Sequence, residues 1–216
     1  MKHCLILLMC CFTMQSIAQL ASNDITPVME EVSYSSATQV SKLNYDLFVG
    51  KGQIGKFKVS KTTQGNTVRY QAESDVTIRI LGENNISYTL DCTLKNDILV
   101  WSHVKVYKNG KLKDDTKIKW TGSEYLINKS GKEIVWTEPI YTPAIALYFE
   151  QPSSDKITVF SEREVSQKSF KKQPDNKYKL TDVGKNNGDT YTYINGSLED
   201  VKVNYVVTNF RAIKRN

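Results

Sequence analysis

The sequence predicts an all-β fold of mainly antiparallel strands, and three observations carry that prediction. From Leu43 onward apolar residues recur at every second position in run after run, the period of a strand with one dry face and one wet face. Asn-Gly and Ser-Gly pairs punctuate these runs at Asn109-Gly110, Ser130-Gly131 and Asn195-Gly196, and such pairs close tight hairpins. Only residues 143–150 break the cadence with a segment that is apolar all round, the mark of a short buried helix.

In chain order, the first element is a secretory leader. Lys2 and His3 supply the basic start, Leu5 to Met14 an apolar run, and Ser16-Ile17-Ala18 a small-residue exit, so cleavage is expected after Ala18. The apolar run is far short of the ~20 residues a membrane-crossing helix needs. Cys10 follows Leu7-Leu8-Met9, but Met9 is large where lipoprotein processing wants a small residue. The expected mature protein is exported, periplasmic or secreted. Residues 19–41 are polar and read as a lead-in, and residues 42–216 as a single β domain.

Within that domain Leu43, Tyr45, Leu47 and Val49 alternate with polar positions before the turn at Gly50-Lys51-Gly52. Ile54 is out of step with Phe57 and Val59 by one residue, and Gly55 marks a bulge that restores the phase. The longest alternation runs Val68, Tyr70, Ala72, Ser74, Val76, Ile78, Ile80, and Ile86 to Leu94 repeats the pattern with Cys92 in the apolar phase. Between Ile98 and Trp120 two hairpin registers compete. A three-residue loop Lys108-Asn109-Gly110 pairs Val106 with Leu112, Val100 with Ile118 and Ile98 with Trp120, and its coherent dry face selects it over the two-residue turn. His103 then lies across from Asp115 and Trp101 across from Lys117, on a face shared with Lys105 and Tyr107. A hairpin of Tyr125–Asn128 with Lys132–Trp136 follows. Thr142 and Pro143 are placed to start a helix ending before Pro152, and strands resume at 157–160, 178–181, 190–194, 198–207 and 210–213.

Composition excludes much chemistry. Removing the leader leaves Cys92 and His103 as the remaining Cys and His, so an intrachain disulfide is impossible and a zinc site, which takes about three or four such ligands, is not expected. A hydrolase triad would have to use His103, and carboxylate pairs such as Asp114-Asp115 or Glu162 with Glu164 are the remaining acid–base candidates. The net charge of +6 comes from 24 Lys against 5 Arg. Nucleic-acid readers favour the planar Arg fork, and these lysines alternate with apolar residues as on a solvated sheet face. No nucleic-acid partner, metal or cofactor is expected. An outer-membrane barrel is also disfavoured, since its lipid-facing bands would be free of so many lysines.

Tyr45-Asp46-Leu47-Phe48-Val49, Gly52-Gln53-Ile54-Gly55, Leu147 to Pro152, Val159 to Glu162 and Tyr191 to Gly196 recur together. With these landmarks the chain resembles a family of exported proteins of unknown function from Gram-negative bacteria. The resemblance implies one strongly curved antiparallel sheet, a half-barrel or roll, comparable in outline with periplasmic lipid carriers. It implies no activity and carries over no catalytic residue.

The expectation for function is a non-enzymatic envelope protein that is not an integral membrane protein. Its curved sheet would hold a lipid-like or other apolar or amphipathic ligand, or a segment of an envelope protein. Trp101, Trp120, Trp136, Tyr148 and Phe149 are the candidate lining residues. The alternatives are an adaptor docking through a sheet edge and, behind it, a hydrolase built on His103 or a carboxylate pair.

Overall fold

Residues 37–79, 82–204 and 209–215 are described by a computed structural model. The expected leader, its cleavage point and most of the lead-in lie outside the described residues, as does Ile80. Eight strands follow one another as a meander: β1 (Gln39–Val49), β2 (Gly52–Gln64), β3 (Thr67–Ile78), β4 (Asn84–Lys95), β5 (Ile98–Lys108), β6 (Lys111–Trp120), β7 (Tyr125–Lys129) and β8 (Lys132–Trp136). Six more form a second meander: β9 (Lys156–Ser161), β10 (Ser166–Gln173), β11 (Lys177–Asp182), β12 (Gly188–Ile194), β13 (Ser197–Asn204) and β14 (Asn209–Lys214). Among the described residues β1 pairs with β14, which joins the meanders into one fourteen-stranded antiparallel sheet with β8 and β9 as its ends. Laid flat, thirteen inter-strand steps of ~4.8 Å would separate those ends by roughly 60 Å. Instead the rings of Trp136 on β8 and Phe160 on β9 are 5.4 Å apart. The sheet therefore curls almost full circle, yet the two end strands do not pair with each other.

Local chemistry sets the turns. Asn109-Gly110, Ser130-Gly131 and Asn195-Gly196 all have positive φ at both positions, the backbone of a two-residue hairpin turn whose twist matches the flanking strands. The bulge expected near Gly55 is present: Leu47 pairs with Gly55 and Phe48 with Gln53, leaving Ile54 as the extra residue. A Cβ on Gly55 would stand 2.2 Å from the Asp75 carbonyl oxygen, so close strand approach, rather than a special φ, requires glycine there.

Four expectations need correction. The hairpin of β5 and β6 uses a two-residue turn, pairing Lys108 with Lys111 and Tyr107 with Leu112, and then shifts so that Val106 faces Asp114 and Ser102 faces Ile118. The extra residue demanded by the apolar phase sits in β6 at Lys113 instead of in the loop, and Leu112 stays exposed. His103 and Trp101 accordingly lie across from Lys117 and Lys119. At the start of β5 a second register shift falls between the pairs Leu94–Leu99 and Thr93–Trp101, so Leu99 is fully buried where the alternation favours Ile98 and Val100. The third correction concerns the segment 143–150, which forms a 3-10 helix over Ala144–Tyr148 with Pro143 outside it in an extended conformation. The fourth is a strand that sequence reading omits. β10 (Ser-Gln-Lys-Ser-Phe-Lys-Lys-Gln) carries one large apolar residue, Phe170, and tertiary pairing with β9 and β11 holds it in place. In addition, β1 begins at Gln39, inside the expected lead-in, because Gln39 to Ser41 pair with Lys61 to Thr63.

Inside the curl lies one apolar cluster drawn from both meanders, including Tyr45, Phe57, Leu90, Cys92, Val104, Ile118, Phe170 and Tyr193. Cys92 is a buried free thiol in that cluster. Burial raises its pKa well above the usual thiol value, which disfavours the thiolate that a nucleophile needs.

Candidate functional site

The inner face is occupied by the chain's own connection. Between β8 and β9, residues 137–155 cross the hollow of the sheet as a strap. Its Ile140, Ile145, Ala146 and Leu147 are buried. Tyr148 meets the rings of Tyr45 and Phe57 edge-on at 5.3 and 5.1 Å, and Phe149 lies 5.6 Å from Tyr70. Polar anchors hold the strap. Tyr193 donates to the Leu147 carbonyl at 2.7 Å, Tyr178 to that of Pro152 at 3.1 Å, and the Tyr125 hydroxyl accepts from the Ile140 N–H at 3.0 Å. A further anchor carries no mark in the sequence. The Glu162 carboxylate accepts the first free N–H groups of the 3-10 helix, from Ala144 at 3.1 Å and Ile145 at 3.3 Å. Glu162 is 2% exposed, and burial pushes its carboxyl up to about 7 against the opposing pull of these backbone donors. Four of the five expected lining residues belong to this packing: Tyr148, Phe149, Trp120 and Trp136 are half-buried against the core cluster.

Trp101 is placed elsewhere. It is 37% exposed and borders a hollow of about 570 Å³ on the opposite, polar face of β1 to β5. That volume lies within the ~300–1,000 Å³ range of small-ligand sites. The floor is made of two cross-strand rows. One runs Lys42, Ser60, Gln71, Asp91, His103. The other runs Asn44, Lys58, Glu73, Thr89, Lys105. Each residue in a row faces outward because the alternation places Val59, Ala72 and Leu90 inward, where they are 3, 6 and 4% exposed. The sequence signal for this site is therefore the polar half of the same period-two pattern that builds the core.

Ion pairs organise the floor. Arg69 grips Asp91 through both guanidinium and carboxylate arms, with its Nε 2.8 Å from Oδ1. Lys58 Nζ lies 2.8 Å from Glu73 Oε1. His103 Nε2 is 2.6 Å from Asp115 Oδ1, so the expected His–Asp contact forms, diagonally instead of directly across. The ring edge of His103 also meets Trp101 at 6.1 Å. Among the described residues Asp115 is the hydrogen-bond partner of the His103 ring, and no hydroxyl or thiol bonds to it, so the pair lacks the nucleophile a triad needs. The other carboxylates considered as acid–base pairs are committed elsewhere: Asp114 to Arg163, Glu164 to Lys168 and Glu162 to the strap. Among the described residues no cluster of three or more His, Cys, Asp or Glu side chains is arranged to hold a metal ion.

Lys42, Lys105, Lys117 and Lys119, by contrast, make no ion pair among the described residues. They stand on the two floor rows or directly across from His103 and Trp101. The face is thus locally neutral where its carboxylates are paired and positive around His103 and Trp101.

Residues 45–215 match a protein family described as "Domain of unknown function (DUF6134)". No curated protein sequence matches the chain. Among solved structures, a β-barrel-like protein of the domain of unknown function DUF1849 from Brucella abortus is similar, with a TM-score of 0.53 and 12% identity over 81% of this chain and 95% of that one. At that identity the likeness concerns the fold alone.

Proposed function

Because this chain belongs to the DUF6134 family, whose description assigns no activity, we propose a function from the geometry: a non-enzymatic, exported envelope protein that holds an amphipathic ligand in the hollow on the polar face of β1 to β5. The observation that carries this reading is the contrast between the two faces. The inner face is filled by the strap, whereas the outer face keeps about 570 Å³ open beside a half-exposed indole. Exposed large aromatics cost solvation free energy, and a site that binds regains it. The missing nucleophile beside His103 and Asp115 favours binding over catalysis.

Native mass spectrometry of protein recovered from its own host tests the reading. A co-purifying small molecule should be retained by Leu147→Ala, which alters the inner packing, and lost from Ser60→Trp, which fills the hollow. The reverse pattern would place the ligand inside the sheet and refute the proposal. The same spectra test export, since the mature chain should begin at Gln19.

The adaptor reading is favoured by one separate feature. β8 is an end strand, and its Val135 and the neighbouring Leu126 on β7 are 58 and 50% exposed. In-cell cross-linking from position 135 to one stoichiometric protein would select it.

A further inference from the structure

We infer that the ligand of the β1–β5 hollow is an acidic saccharide chain, an inference that rests on the outer-face reading above and narrows its chemistry. Three features on that face select this class together. The first is the Trp101 indole, 37% exposed at the border of the hollow, a flat apolar plate of the kind the C–H face of a sugar ring covers. The second is the floor. Val59, Ala72 and Leu90 are buried, and between its charged residues the floor carries the hydroxyls and amides of Ser60, Thr89, Asn44 and Gln71. These donate and accept hydrogen bonds without carrying charge, which suits ring hydroxyls and offers nothing to an acyl chain.

The third feature is charge. Glu73 and Asp91 are matched by Lys58 and Arg69, and Asp115 hydrogen-bonds His103 and lies across from Lys105, whereas Lys42, Lys117 and Lys119 have no carboxylate partner among the described residues. Lys42, Lys105, Lys117 and Lys119 against the one carboxylate of Asp115 leave this face net positive, which attracts an anion whose charges are spaced along it. Uronic-acid and phosphorylated glycans combine such spaced anions with apolar ring faces. A single-stranded nucleic acid would also meet lysines and an aromatic ring, but successive bases need successive aromatic platforms, and this hollow presents one.

Calorimetric titration at low ionic strength with oligogalacturonate tests the inference. Dextran, polyglutamate, a thymidine decamer and phosphatidylglycerol vesicles serve as comparison probes. Oligogalacturonate should bind with an affinity that falls as salt is raised, through screening. Trp101→Ala should weaken it about tenfold, and Lys105→Ala with Lys117→Ala together about as much, while thermal unfolding of both variants matches the parent. Dextran binding as tightly as oligogalacturonate would overturn the acidic class. Equal binding of polyglutamate would reduce the site to a general anion attractor and overturn the saccharide. Binding of vesicles or the decamer instead, abolished by Trp101→Ala, would overturn the saccharide and leave the outer-face reading standing. Oligogalacturonate binding that ignores both sets of substitutions would overturn the two together, and so would silence from every probe.

Discussion

Glu162 offers the sharpest energetic test of the strap, because its burial and its capping bonds pull its titration in opposite directions. In the folded chain the carboxyl is pushed up to about 7 from an ordinary 4.5. At ~1.4 kcal/mol per pH unit that displacement amounts to about 3 kcal/mol. The sign follows from linkage: the folded state holds the proton more tightly than the unfolded chain does. The Glu162 contribution to stability is therefore fully present below about pH 4.5 and is lost as pH rises through about 7. The groups around it do not titrate in that window. Tyr88 and Cys92 on β4 and Tyr191 on β12 are all raised by burial, and Arg163 next to it is paired with Asp114. Asp189 is also raised by burial, but it is present in both proteins and cancels in a difference. Glu162→Gln keeps an oxygen for one of the two strap N–H groups and removes the proton. Urea denaturation of both proteins at pH 4.5, 6 and 8 should show the Glu162→Gln variant gaining on the parent by about 3 kcal/mol from the lowest pH to the highest. A difference that stays constant across the three pH values would refute the assignment of Glu162 as a buried carboxylate capping the strap.

Leu147→Ala, at a side chain 1% exposed, should cost about 2–5 kcal/mol in chemical denaturation, and a loss below about 1 kcal/mol would mean the strap is not part of the core. Gly55→Ala should cost about 2 kcal/mol or more, because a backbone oxygen must move, whereas Gly52→Ala, with its nearest contact at 3.6 Å, should cost visibly less; equal losses would contradict the close strand approach. Cys92 should resist a thiol reagent until the protein is unfolded in denaturant, since its thiol is buried and its pKa raised. Labelling of the native protein at the rate of a free cysteine would contradict that placement.

Much of this architecture was legible because period-two alternation reports which residues face the core. Tyr45, Phe57, Tyr70, Leu90, Cys92 and Val104 all fall inward as the alternation requires. Bulges were legible only where a glycine marked them, as at Gly55. The shift at Lys113 has no such mark, since Lys and Asp residues on both sides make the local pattern insensitive to register. β10 is illegible in the sequence for a related reason: Phe170 alone cannot define a period, and the strand exists because neighbours pair with it on both sides. The helix of the strap was legible as a buried apolar segment but not as a 3-10 helix, because its N-terminal partner, Glu162, comes from a segment eighteen residues further on. At the outer hollow, the shared face of Trp101, His103 and Lys105 could be read from the hairpin alone. That five strands would hollow this face could not, because it depends on the twist and curl of the whole sheet.

If the chain seals its own interior and leaves the polar face of β1 to β5 to meet a ligand, an acyl chain finds no room beneath the strap. Methyl and indole NMR spectra recorded while palmitate is added to saturation decide the matter. The methyl resonances of Ile145 and Leu147 and the indole resonance of Trp136 should stay where they are. Progressive shifts of those three signals would show palmitate entering beneath the strap and an interior that is open.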